Sequence, residues 1–183
     1  MFNIPTLLTW GRIALIPVFV VCFYLPVPWS NEATVIIFLL AALTDWLDGY
    51  LARVLKQSSK FGAFLDPVAD KLMVAVALVM LVQANPSPWV AVASAVIIGR
   101  EIAVSSLREW MAEIGERTSV AVSTMGKVKT AIQMIAILML LYQEPLKEFA
   151  VYEAGMVLLY VAATLTIWSM LIYLKAAWPT FNK

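Results

Sequence analysis

All four aspartates of this chain fall between Asp45 and Asp70. Asp45 and Asp48 are three positions apart, Asp66 and Asp70 four, so on helices each pair projects from a single face. An acid placed deep in an apolar helix costs on the order of 2.5–3.5 kcal/mol, and four together point to chemistry. Facing carboxylates repel, and each resists ionisation while its neighbours are charged. Hard divalent ions such as Mg²⁺ or Mn²⁺ remove that conflict, and Mg²⁺ is typically held by a few carboxylates together with substrate phosphates and water. The window therefore reads as a metal site for a phosphorylated substrate. Gly49 and Ala52 continue the face of the first pair and Gly62 lies one turn before the second; their small size leaves room for a ligand or a neighbouring backbone. Plainer readings stand beside this one. Asp66 before Pro67 could cap a helix with proline in its first turn, Asp45 and Asp48 could pair with Arg53 or Lys71, and Gly62 could end a loop.

The elements that must carry these acids are membrane helices. Of the 183 residues, 62% are hydrophobic and 14% charged, against roughly 45–50% and about 25% in an average soluble domain; the mean hydropathy is +0.86. Stretches of about 20 mostly apolar residues, enough to span a bilayer, are expected at 13–29, 33–53, 64–84, 88–107, 126–143 and 150–174. The fold class expected is all-α, a single domain over 1–183 built as a bundle of six transmembrane helices. Arg12 ahead of an apolar run imitates a signal peptide, but Pro26, Val27, Pro28 and Trp29 make no small-residue cleavage site. Lys and Arg are retained on the cytoplasmic side. Arg12, then Arg53, Lys56 and Lys60, then Arg108 and Arg117, then Lys175 and Lys183 mark one side, and Lys147 alone the other. Both termini should be cytoplasmic, with the two aspartate pairs at one depth beneath that surface, because a short loop makes the second and third spans antiparallel neighbours. Trp29, Trp89, Trp110 and Trp178 fall at span ends, as an interfacial belt would have them.

Composition also excludes. A formal charge of +1 is far from the basic surface that nucleic acid requires. The absence of histidine and the lone Cys22 leave no His-ligated zinc, no Ser-His or Cys-His pair and no internal disulfide. Chemistry must come from carboxylates, Lys, Arg, hydroxyls or a bound metal.

Written out, the window runs Asp45, Asp48, Gly49, Ala52, Arg53, then after eight residues Gly62, Asp66 and Asp70. It resembles the signature of the CDP-alcohol phosphotransferases, D-x-x-D-G-x-x-A-R-x8-G-x-x-x-D-x-x-x-D, with every defined position present. The segment from Asn3 to Thr9, Arg100 with Glu101, Leu107 to Trp110, and Gly126 to Thr130 look like the branch of that family that uses glycerol 3-phosphate. Gly126 and Lys127 are no P-loop, since the upstream glycine and a Ser/Thr directly after the Lys are missing. The resemblance implies a bacterial inner-membrane enzyme that transfers a phosphatidyl group from CDP-diacylglycerol to sn-glycerol 3-phosphate and releases CMP. It implies that Asp45, Asp48, Asp66 and Asp70 hold two divalent ions, Mg²⁺ or Mn²⁺, with Asp70 also the general base. Gly49, Ala52, Arg53 and Gly62 would line the CDP-diacylglycerol pocket, and the enzyme would be a homodimer among membrane lipids with its active site facing the cytoplasm.

Arg100, Arg108, Lys127 and Lys129 fall near the cytoplasmic ends of the fourth and fifth spans. A phosphate monoester acceptor wants such cations, and Arg100, Arg108 and Lys127 are the expected glycerol 3-phosphate ligands. The alternative is that these cations anchor to lipid headgroups or pair with Glu101, Glu109 and Glu113. Other acceptors, such as inositol phosphate, serine or a phosphatidyl lipid, would also suit the aspartate signature. An ion or metal transporter would carry intramembrane carboxylates too, but repeated halves and a midplane site are absent here. A prenyltransferase would separate its two acidic motifs further, and a non-catalytic scaffold would release no CMP.

Overall fold

The computed structural model describes residues 4–54, 60–115, 124–142 and 150–178. Six helices make up this part of the chain: α1 (Ile4–Tyr24), α2 (Ser30–Val54), α3 (Lys60–Ala84), α4 (Pro88–Glu113), α5 (Thr124–Tyr142) and α6 (Val151–Ala177). The breaks follow local chemistry. Pro88 opens α4 behind Ser87, and beyond its end Gly115 takes φ +83°, the left-handed conformation that closes helices. Among the described residues three helices, over Thr6–Tyr24, Pro88–Glu113 and Val151–Ala177, are long and apolar enough to cross a membrane.

Side-chain pairings give the directions. Phe19 meets Phe38 at a centroid distance of 6.2 Å, while Arg12 meets Asp45, so α1 and α2 are antiparallel. Trp10 stacks on Phe61 at one end of α1, and Tyr24 donates to Gln83 at the other (2.6 Å), so α1 and α3 run the same way. Gly155 of α6 brings its backbone against Leu140 and Met139 of α5, where an added Cβ would meet side-chain atoms at 3.1 Å. The six helices thus alternate up and down, with the starts of α1, α3 and α5 and the ends of α2, α4 and α6 at one end of the bundle.

The main core joins all six helices through residues such as Phe19, Phe38, Leu78, Ile97, Ile137 and Leu159. A smaller cluster of Val104, Met111, Tyr173 and Ala177 closes α4 against α6. Large apolar side chains also face outward on every helix, among them Val21, Ile36, Val79, Val92, Ile135 and Leu171, the pattern of helices hydrophobic all round.

Three expectations need correction. The first helix begins at Ile4 rather than near 13, because its early polar residues Thr6, Thr9 and Arg12 are buried against neighbours. The third begins at Lys60, which places Asp66 and Pro67 more than a turn inside it; Asp66 is no N-cap. Finally, α2 and α3 touch only slightly among the described residues, and α1 packs more extensively on each than they do on one another.

Candidate active site

The face of α1 made by Thr6, Thr9 and Arg12 is what gathers the aspartates. These residues recur every three positions, share one side of the helix, and are all nearly inaccessible. Arg12 Nη1 donates to Asp45 Oδ1 at 2.6 Å, and Nη2 donates to Asp48 Oδ2. One guanidinium therefore bridges both acids of α2, which proves that they share a face. Thr9 Oγ1 donates to Asp66 Oδ1, tying α3 to the same face of α1. Asp48 is buried with Arg12, whereas the Asp45 side chain is 44% exposed and opens the site to the outside. Asp70, half-buried a turn beyond Asp66, makes no hydrogen bond among the described residues and lies within electrostatic reach of Asp45, Arg12, Glu101 and Lys71.

The donor set is all hard oxygen, the chemistry suited to a divalent cation, and the α2 pair already holds a cation in Arg12. Among the described residues no group of three or more acids is placed to hold one ion; Arg12 is the charge between Asp45 and Asp48. As ion-pair partners for Asp45 and Asp48 the sequence offers Arg53 or Lys71, the plainer alternative to a metal; the structure supplies Arg12, which from sequence alone marks only topology. The available signal was the polar spacing of Thr6, Thr9 and Arg12 at the head of an apolar helix. Gly62 is buried in α3. Gly49, Ala52 and Arg53 continue α2, and Lys127 lies on α5, but their side chains lie outside the described residues, as do residues 56 and 117 entirely.

A second polar network adjoins the first. Glu101 of α4 accepts from Lys129 of α5 and, at 3.0 Å, from Arg100 Nη1, both on Oε1. Arg100 Nη2 donates to Ser169 Oγ of α6 at 3.1 Å, and its guanidinium stands 5.6 Å over the Tyr173 ring. Lys129 is buried and within electrostatic reach of Asp70. Of the expected acceptor cations, Arg100 and Arg108 are set apart along α4, and the Lys127 side chain lies outside the described residues. Arg100 is engaged inside the bundle, while Arg108 is exposed, without an ion pair among the described residues, and about 12 Å further along the axis of α4 at 1.5 Å per residue.

Two aspartate pairs on helices that both pack against α1, in a bundle of apolar helices, delimit a class, and comparison agrees. A model of the CDP-alcohol phosphatidyltransferase family matches residues 2–168, and the chain belongs to that family. It is 57% identical over 176 residues to the CDP-diacylglycerol–glycerol-3-phosphate 3-phosphatidyltransferase of Escherichia coli (strain K12), covering 96% of this chain and 95% of the relative. The proteins of the same name from Shigella flexneri serotype 5b and Shigella boydii serotype 4 match at the same identity and coverage.

Proposed function

We propose that this protein transfers the phosphatidyl group of CDP-diacylglycerol to sn-glycerol 3-phosphate, giving phosphatidylglycerophosphate and CMP. The observation that carries the reading is the meeting of Asp45, Asp48 and Asp66 on one face of α1, with Asp70 beside them, in a chain 57% identical to an enzyme named for this transfer. The family generally works with a divalent metal. Here the four aspartates would hold it, as Mg²⁺ or Mn²⁺ in two sites. Bound there, it would supply charge neutralisation for the diphosphate and for the departing CMP.

The chain's own groups do the rest. Asp70, the aspartate without a hydrogen bond among the described residues, accepts the proton of the acceptor hydroxyl as that oxygen bonds to the phosphatidyl phosphorus and the bond to CMP breaks. Gly49, Ala52, Arg53 and Gly62 line the CDP moiety. Arg100, Arg108 and Lys127 supply positive charge for the acceptor's phosphate. All six helices cross the bacterial inner membrane, since each turns large apolar side chains outward. The loop charges put both termini and the aspartates on the cytoplasmic side, where the acyl chains of the donor stay in the bilayer and its diphosphate reaches the carboxylates. Two copies form a homodimer.

CMP release by the purified protein, measured with glycerol 3-phosphate, inositol phosphate, serine and no acceptor, tests the assignment. Release with glycerol 3-phosphate well above the others is expected. Preference for another alcohol would overturn the acceptor, and no release with any would overturn the reaction.

A further inference from the structure

Arg12 is among the most deeply buried charges of the bundle, with a side chain 1% exposed. It neutralises Asp45 and Asp48 through its two terminal nitrogens. Those carboxylates are the ones a divalent cation would need, so metal and guanidinium compete for the same oxygens. Once displaced, the guanidinium would be a buried cation without its counter-charges, a costly state. Its Nε is buried with no partner among the described residues. Phosphate oxygens match the planar fork of an Arg and accept from it bidentately, and an entering diphosphate brings the anion that the displaced group lacks.

We propose that Arg12 is the resident counter-cation of the aspartate site, yielding Asp45 and Asp48 to the divalent metal and turning its guanidinium to the diphosphate of the lipid nucleotide. The proposal rests on the functional reading above. It makes metal and donor binding cooperative: metal alone must expel a cation from its carboxylates, whereas metal with donor gives that cation a new partner. Arg12 is then a donor-binding residue as well as the charge that offsets repulsion between Asp45 and Asp48.

The experiment uses the full chain in detergent, with Mn²⁺ binding followed by electron paramagnetic resonance without lipid nucleotide, and CDP-diacylglycerol binding measured at saturating Mn²⁺. Arg12→Gln should bind Mn²⁺ alone roughly tenfold more tightly and the donor at least roughly tenfold more weakly, the scale of one charged contact. Arg12→Lys, which keeps the charge but cannot bridge both acids, should move both affinities in the same directions by less, and it decides the matter if the glutamine variant does not fold. Unchanged or weakened Mn²⁺ binding would make Arg12 a structural strut, and unchanged donor affinity would remove it from the diphosphate; either overturns the proposal. A wild-type protein that binds neither Mn²⁺ nor CDP-diacylglycerol would instead bring down the functional reading, and this proposal with it.

Discussion

Lys129 of α5 and Glu101 of α4 form an ion pair on the carboxylate oxygen that Arg100 also takes, so one acid holds two largely buried cations. Breaking a buried pair by removing one partner leaves uncompensated charge and costs about 3–5 kcal/mol. Glu101→Gln keeps the shape and strands both cations. Its thermal unfolding midpoint in detergent should fall clearly below that of the wild type, and an unchanged midpoint would show that the network contributes little.

Asp45→Asn and Asp66→Asn preserve volume and remove the charge that would bind a cation. Each should lose nearly all CMP release while the protein still inserts and purifies as a folded species. Normal turnover in either variant, or wild-type activity that survives complete chelation of divalent ions, would refute the metal role.

Asp70 is distinguished from the other three aspartates by having no hydrogen bond among the described residues. If it takes the acceptor's proton, Asp70→Asn should abolish transfer far more completely than it weakens CDP-diacylglycerol binding. Measuring both on one preparation is decisive: a variant that binds no donor would make Asp70 chiefly a metal ligand.

The acceptor cations should separate by their placement. Arg108→Gln and Lys127→Gln are expected to raise the KM for glycerol 3-phosphate by roughly 10- to 150-fold, the loss of one charged contact at about 1.5–3 kcal/mol, and to leave donor binding intact. Arg100→Gln should raise KM and also lower thermal stability, because its guanidinium binds Glu101 and Ser169. Wild-type dependence on glycerol 3-phosphate in all three would remove these residues from the acceptor site.

The spacing of Asp45, Asp48, Asp66 and Asp70 was legible from the chain because helical periodicity is local: residues three or four apart share a face whatever surrounds them. The six helices were legible for a similar reason, since lengths of apolar sequence and the prolines and glycines between them depend on nearby residues alone. What tertiary structure decided is which faces meet. Nothing local says that α1 lies against both α2 and α3, because helix rotation and neighbour choice are settled by packing across the whole bundle. That packing made Arg12, legible only as a topology signal, the bridge between Asp45 and Asp48, and made Thr9 the partner of Asp66. It also drew Arg100 into a network with Glu101, Ser169 and Tyr173 and left Arg108 outside. A charge in an apolar helix can be read from sequence as needing a partner; which partner it finds depends on residues dozens of positions away that only the folded chain brings within reach.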